Sequence, residues 1–217
     1  MVIIASLEST KVDLGLPVFT LDVNQVALKD PSQWTPSMQG LAPLEWNYFN
    51  TQQVELCVTP ELQYEITGGQ SLDALPWTAY QRFKKSQLFK SRPSGATLSL
   101  TEQEASLLWN GIRGILWPTV PETGLTHKQR ADVSELYFHT VANSSLSYSA
   151  FLTNDSDFLS KGNDIRNGLG VTVMAPTPAW EEFQPKFSLY VPSRIEIQEF
   201  LKEQRSHLLQ LSTRSNL

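Results

Sequence analysis

Val54-Glu-Leu-Cys-Val58-Thr59-Pro60-Glu61-Leu-Gln-Tyr-Glu65-Ile66 changes character halfway along. Its first five residues are a short, mainly apolar run, the pattern of a strand buried in a sheet. Thr59 then offers an N-cap oxygen, and Pro60 brings the fixed φ of a first helical position, so a helix starts there and runs through Glu65 and Ile66. A strand feeding straight into a helix is a βα unit. The same grammar recurs along the chain. Pro17-Val-Phe-Thr-Leu-Asp22 reads as a buried strand, Thr101-Glu-Gln-Glu104 as a capping box opening a helix through Leu107, Leu108 and Ile112, and Pro118 as its stop. A second capping box, Thr126-His-Lys-Gln129, opens a helix with Val133, Leu136, Phe138 and Val141 as apolar positions, leading to the strand Ala150-Phe-Leu-Thr153. Gly170-Val-Thr-Val-Met174 is a fourth strand; Thr177-Pro178 and Ser193-Arg-Ile-Glu196 each start a helix.

Alternation of this kind predicts an α/β fold, a three-layer αβα sandwich around a central, mostly parallel sheet. At 217 residues the chain is read as a single domain, 1–217. Its core spans about 17–185, with an insertion or lid at about 68–100 and a C-terminal helix over 193–211. Residues 1–16 fit the alternation less well.

With 41% apolar and 18% charged residues the composition excludes disordered and fibrous chains. The formal charge of −5 argues against a surface that is one basic platform, so a polyanion must be held locally. Cys57, the sole cysteine, lies in an apolar run and is read as inert core. No stretch resembles a secretion signal or a membrane span, so the expectation is a cytoplasmic protein with no membrane partner.

The acids are defined by where they fall. Asp22 ends the first strand, Glu65 lies on the helix after the second, Asp132 and Glu135 lie on the helix before the third, and Asp155 and Asp157 follow that strand directly. In an open α/β sheet, residues just past the carboxyl ends of the strands converge on one crevice. Carboxylates gathered that closely are tenable only if some stay protonated or if cations sit among them, and hard divalent ions such as Mg²⁺ or Mn²⁺ take such oxygen ligands.

Three segments carry a family resemblance. Leu21-Asp-Val-Asn-Gln-Val26 resembles the first motif of PIN-domain nucleases, a strand ending in Asp, and Val58-Thr-Pro-Glu-Leu-Gln-Tyr-Glu65 resembles the second, a Ser/Thr-Pro start leading to a helical Glu. Phe151-Leu-Thr-Asn-Asp-Ser-Asp-Phe158 is similar to the family's late signature and is the most specific of the three. Val171 to Phe183 resembles its closing strand and helix. The third motif departs: Glu135, with Ala142 seven residues on, keeps the family's spacing but replaces the usual Asp, while Asp132 has the usual type one turn early. Glu135 is favoured on spacing, with Asp132 as its neighbour; Asp132, Glu135 and His139 share one helix face.

The resemblance implies a metal-dependent endoribonuclease, either the toxin of a toxin–antitoxin pair or an RNA-processing enzyme. It implies Asp22, Glu65, Glu135 and Asp155 as catalytic acids around Mg²⁺ or Mn²⁺, with Asp22, Asp155, Glu135, Asp132 and Asp157 as metal ligands or their neighbours. Asn24 and Asn154, beside the ligand strands, are candidates for binding substrate. The partners implied are single-stranded or structured RNA and, for a toxin, an inhibitory antitoxin; a homodimer is the further possibility. The alternative is a catalytically degenerate PIN-like module that binds RNA or protein, and the substituted third acid favours it.

A basic stretch offers the local polyanion contact. No acid lies between Asp73 and Glu102, whereas Arg82, Lys84, Lys85, Lys90 and Arg92 interleave with Trp77, Tyr80, Phe83 and Phe89. Cations on phosphates and aromatics on bases suit a single strand, and Arg82, Lys84 and Lys85 are the expected substrate contacts. The blander reading is a solvated loop whose aromatics plug the core. His127, His139 and His207 have no metal-ligand spacing and are read as surface or cap residues. In the last helix Ile195, Ile197, Phe200, Leu201, Leu208, Leu209 and Leu211 form an apolar set expected to pack on its own domain.

Overall fold

In the computed structural model, which describes residues 13–27, 36–91, 99–143 and 146–213, the four expected strands form one parallel sheet. They are β1 (Val18–Leu21), β2 (Glu55–Cys57), β3 (Ser149–Leu152) and β4 (Val173–Met174), lying side by side as β2-β1-β3-β4. In register, Thr20 of β1 stands opposite Cys57 on one side and Phe151 on the other. The chain leaves β1 for β2 in one direction and later returns past it to β3, so the gap between β1 and β3 is the switch point, where open sheets of this class bind ligands.

The helices are α1 (Pro36–Asn50), α2 (Pro60–Thr67), α3 (Trp77–Ser86), α4 (Glu102–Leu116), α5 (His127–Asn143), α6 (Ser156–Leu159), α7 (Gly162–Leu169), α8 (Pro176–Phe187) and α9 (Arg194–Thr213). Their starts follow the caps. Thr59 Oγ1 accepts from Leu62 N–H at 3.2 Å, and Thr101 with Glu104 closes a reciprocal capping box. Thr126 with Gln129 and Ser193 with Glu196 do the same for α5 and α9. One start is corrected: α8 begins at Pro176 behind Ala175, not at Thr177-Pro178, because the first proline already has the φ a helix needs.

Strand alternation sorts the core into two faces. Phe19 and Leu21 of β1 and Ala150 and Leu152 of β3 pack with Leu41 and Leu44 of α1 and Ala179 and Phe183 of α8. Phe151 turns the other way, into Leu108 and Ile112 of α4, Val133 and Leu136 of α5 and Ile165 of α7. Helices on both faces of a parallel sheet make the three-layer αβα arrangement. Gly40 permits one of these contacts: a Cβ there would lie 2.3 Å from the backbone of Pro176, so only glycine lets α1 close onto α8. On α9, Ile197 and Leu201 are buried against Ala42 of α1, and Leu208 is buried as well, while Ile195 and Leu209 stay exposed. The side chain of Leu211 lies outside the described residues.

The segment 68–91 is built into the body. Helix α3 packs on α2 and α9, Phe89 enters the core, and Lys90 pairs with β2 through Val58 N–H to Lys90 O at 2.9 Å and Lys90 N–H to Leu56 O at 3.2 Å. Residues 92–98, with Arg92, lie outside the described residues, as do residues 1–12. No helix among the described residues is long and apolar enough to cross a membrane.

Candidate functional site

Asp22 is the first residue past β1, and its N–H donates to Leu152 O at 3.0 Å, so the last rung between β1 and β3 holds it at the switch point. Its carboxylate is buried, accepting from Thr153 Oγ1 at 2.6 Å and from Asn24 Nδ2 at 3.1 Å, both at Oδ2. Thr153 Oγ1 in turn accepts from Asp155 N–H at 2.8 Å. Asp155 caps α6, taking Asp157 N–H on Oδ1 at 2.8 Å, and receives Lys128 Nζ on Oδ2 at 3.0 Å. The Thr-Asn-Asp-x-Asp turn thus has a local logic: the threonine ties two acids together and the first Asp starts the next helix.

Helices α2 and α5, packed against each other, bring the remaining acids. Asp132 and Glu135 of α5 are buried and Glu65 of α2 is half-buried, and the charges of Asp22 and Glu65 both bear on Glu135. Burial, reinforced by Asp22, Glu65 and Asp132, pushes the Glu135 carboxyl well above the usual range. Burial likewise raises Asp132 to about 7, with Glu65, Asp155 and Asp22 adding to the shift and Lys128 opposing it. Burial also raises Glu65, with Asp22 adding to it, and raises Asp22 against the pull of Thr153 and Asn24. Asp155 alone in the set is held below its ordinary range; burial pushes it up, but the Asp157 N–H and the Lys128 ammonium outweigh that.

The expected acids therefore come together: Asp22, Glu65, Asp132 and Glu135 act on one another, Asp155 acts on Asp22 and Asp132, and Asp157 stands beside Asp155 and Lys128. Asp132 and Glu135 both belong to the cluster, with Glu135 the deeper. Asn24 is exposed and already donates to Asp22; Asn154 is exposed on the turn. Two residues escaped sequence reasoning. Lys128 sits inside a capping box with no spacing that marks it, and Thr153 belongs to the Thr-Asn-Asp signature without being assigned a role.

Two expectations are corrected. Lys85 is fully buried and paired with Glu45 at 2.8 Å, also donating to Ala27 O at 3.3 Å, so it cannot reach a substrate. Lys90 is likewise engaged, with Glu55 at 2.8 Å. Arg82 is exposed and Lys84 half-buried; Trp77 and Tyr80 stack at 6.0 Å, Lys84 Nζ lies 5.6 Å from the centre of the Tyr80 ring, and Arg82 stands on another side of the helix. His139 is the second correction: it is buried, 2.8 Å from Thr20 Oγ1 and 2.9 Å from Asn143 Nδ2, and burial drives its pKa down to about 3, so it stays neutral.

Whether this set suits a divalent cation is a question about its oxygens. Asp132 Oδ2 and Glu135 Oε1 are buried with no hydrogen-bond partner, and every candidate ligand is a carboxylate. A hard cation fits such a set. Among the described residues no group of three or more His, Cys, Asp or Glu side chains stands in an arrangement that could hold a metal ion as it is. No protein-family model matches the chain, and no curated protein matches it.

Proposed function

We propose that this protein is a metal-dependent endoribonuclease of the PIN-like kind that hydrolyses phosphodiester bonds of RNA at the acidic cluster. The observation that carries the reading is the burial of three carboxyl groups, Asp22, Asp132 and Glu135, at the sheet's switch point, two with unpartnered oxygens and with half-buried Glu65 and Asp155 beside them. Such an arrangement costs stability and is retained where a cation is to be held. Asp22, Glu135, Asp132 and Asp155 are the groups to hold it, with Glu65 and Asp157 at the margin. Bound there, Mg²⁺ or Mn²⁺ supplies Lewis acidity toward water and toward a phosphate oxygen. Within the protein, Thr153 fixes the directions of Asp22 and Asp155, and Lys128 offsets charge at the edge of the cluster.

The contact face for the strand is the side of α3 that carries exposed Trp77 with half-buried Tyr80 and Lys84, rings beside a cation as single-stranded RNA requires, with exposed Arg82 on another side of the same helix. The test is cleavage of varied single-stranded RNAs with Mn²⁺ by the parent, Asp22→Asn and Asp155→Asn. Equal cleavage by all three, or none by the parent, overturns the reading. One observation favours the degenerate binding module instead: Lys128 already satisfies Asp155. RNA binding without cleavage is the outcome that selects it. A toxin role, the antitoxin it entails, a homodimer and a cytoplasmic location are proposals of the same standing.

A further inference from the structure

Beside the acids lies a ring pair that the catalytic reading does not use. Tyr64, one residue before Glu65 on α2, is 57% exposed, an unusual position for a tyrosine at the rim of a charged cluster. Its ring stacks on exposed His127 with centroids 5.8 Å apart and planes 29° apart, and the residue after His127 is Lys128. The tyrosine is also set from below. Gly69 turns there with φ +73°, and a Cβ on it would stand 3.3 Å from the Tyr64 ring, so the absence of a side chain lets the ring settle over the turn. Helices α2 and α5 are packed together, so the two halves of the stack move as one with the acids they flank.

The charge balance asks for something at this rim. A phosphodiester approaching Asp22, Glu65, Asp132 and Asp155 is repelled until a cation faces it, and His127 and Lys128 are the basic side chains that interact with Glu65. A flat exposed π-surface next to an ammonium group is the chemistry of an unpaired nucleotide: base on ring, phosphate on cation. Duplex bases, stacked on one another, have no free face to offer.

Resting on the nuclease reading, we propose that the Tyr64–His127 stack, with Lys128 beside it, is a nucleobase-stacking subsite for the unpaired nucleotide adjoining the bond to be cleaved. Its role is to select strands with a splayed base at that point and to hold the phosphate at the acids.

The experiment is fluorescence anisotropy of a labelled single-stranded oligoribonucleotide on the full chain carrying Asp22→Asn, so that bound RNA is not consumed, with Mn²⁺ present. Tyr64→Ala is expected to weaken binding roughly tenfold, as the loss of one base–aromatic stack does. Tyr64→Trp is expected to restore it, and Lys128→Gln to lower the slope of log affinity against log salt by about one charge. A 2-aminopurine in the oligonucleotide is expected to be quenched by the Tyr64 form and brighter with Tyr64→Ala, a signal that a merely structural role of the ring would not give. Single-strand affinity and quenching unchanged by Tyr64→Ala overturn the subsite while leaving the nuclease reading in place if the parent cleaves. No cleavage and no single-strand binding by the parent overturn both.

Discussion

Two polar layers sit one above the other on the same faces of β1 and α5, and they solve the problem of buried polarity in opposite ways. In the lower layer Thr20, His139 and Asn143 exchange hydrogen bonds at 2.8, 2.9 and 3.1 Å, all three neutral, with the amide oxygen of Asn143 left without a partner among the described residues. In the upper layer, two residues further along β1 and about one turn back along α5, Asp22 meets Glu135 with Asp132 and Glu65 around them, and buried oxygens are left unpartnered. Burying a neutral hydrogen-bonded group is inexpensive; burying several acids is not. The lower layer is explained by the fold alone, whereas on the nuclease reading proposed above the upper layer awaits a cation.

Substitutions that exchange the behaviours of the two layers test this contrast. The largest effect is expected from Asp22→Asn. Cleavage should fall a hundredfold or more, on the scale of losing a group that acts on the transition state. The same change should raise the thermal stability of the metal-free protein, because it removes one charge from a repelling set. A fall in metal-free stability would place Asp22 with the structural layer. His139→Ala should do the reverse, costing about 2–4 kcal/mol of stability by leaving a cavity and stranding Thr20 and Asn143, equally with and without Mn²⁺. Cleavage per folded molecule should be unchanged. Denaturant titration in EDTA and in Mn²⁺ reads both.

The two layers also differ in how far the chain disclosed them. Acids placed after strands and on capped helices announce where they will meet, because βα units point their carboxyl ends one way; the sheet, its strand positions and the convergence of Asp22, Glu65, Glu135 and Asp155 followed from that. His139 was hidden, since a histidine on an apolar helix face reads the same whether it caps or is buried, and only the register of Thr20 beneath it decides. Lys85 was hidden for the opposite reason. Among Arg82, Lys84 and Lys85 the period of the helix turns one cation inward, but α1, which supplies its partner Glu45, carries Gly40 and Pro43 and gives little helical signal of its own. Tyr64 stood within the quoted second motif, yet nothing in the chain order says that His127, sixty-three residues on, will stack upon it.

A mid-sized effect concerns pH. Carboxyls raised in the folded state hold protons more tightly than in the unfolded chain, so their contribution is fully present below the usual carboxylate range and is lost as pH climbs, for Asp132 through about 7. Metal-free stability should therefore decline over that window, and Asp132→Asn should remove part of the decline, gaining on the order of 2 kcal/mol relative to the parent by pH 8. Mn²⁺ competes with those protons, so the rise in melting temperature that it produces should grow across the same window. A Mn²⁺ effect independent of pH would separate the cation from the acids.

The smallest effect is the sharpest, because Thr153 belongs to both kinds of chemistry. Its hydroxyl donates to Asp22 and accepts from the Asp155 N–H, satisfying a structural turn while stabilising a charge. Thr153→Val, nearly the same shape, should cost about 1–2 kcal/mol as both bonds are lost. The Thr153 bond lowers the pKa of Asp22, so its removal should raise that pKa further; at fixed pH fewer molecules then present the Asp22 carboxylate, and Mn²⁺ affinity by titration calorimetry should fall. Raising the pH should recover the lost affinity, since it deprotonates Asp22, but not the lost stability, since no proton replaces the bond to Asp155. If the affinity is not recovered, Thr153 acts only by shaping the turn, and the upper layer is less sharply divided from the lower than its charges indicate.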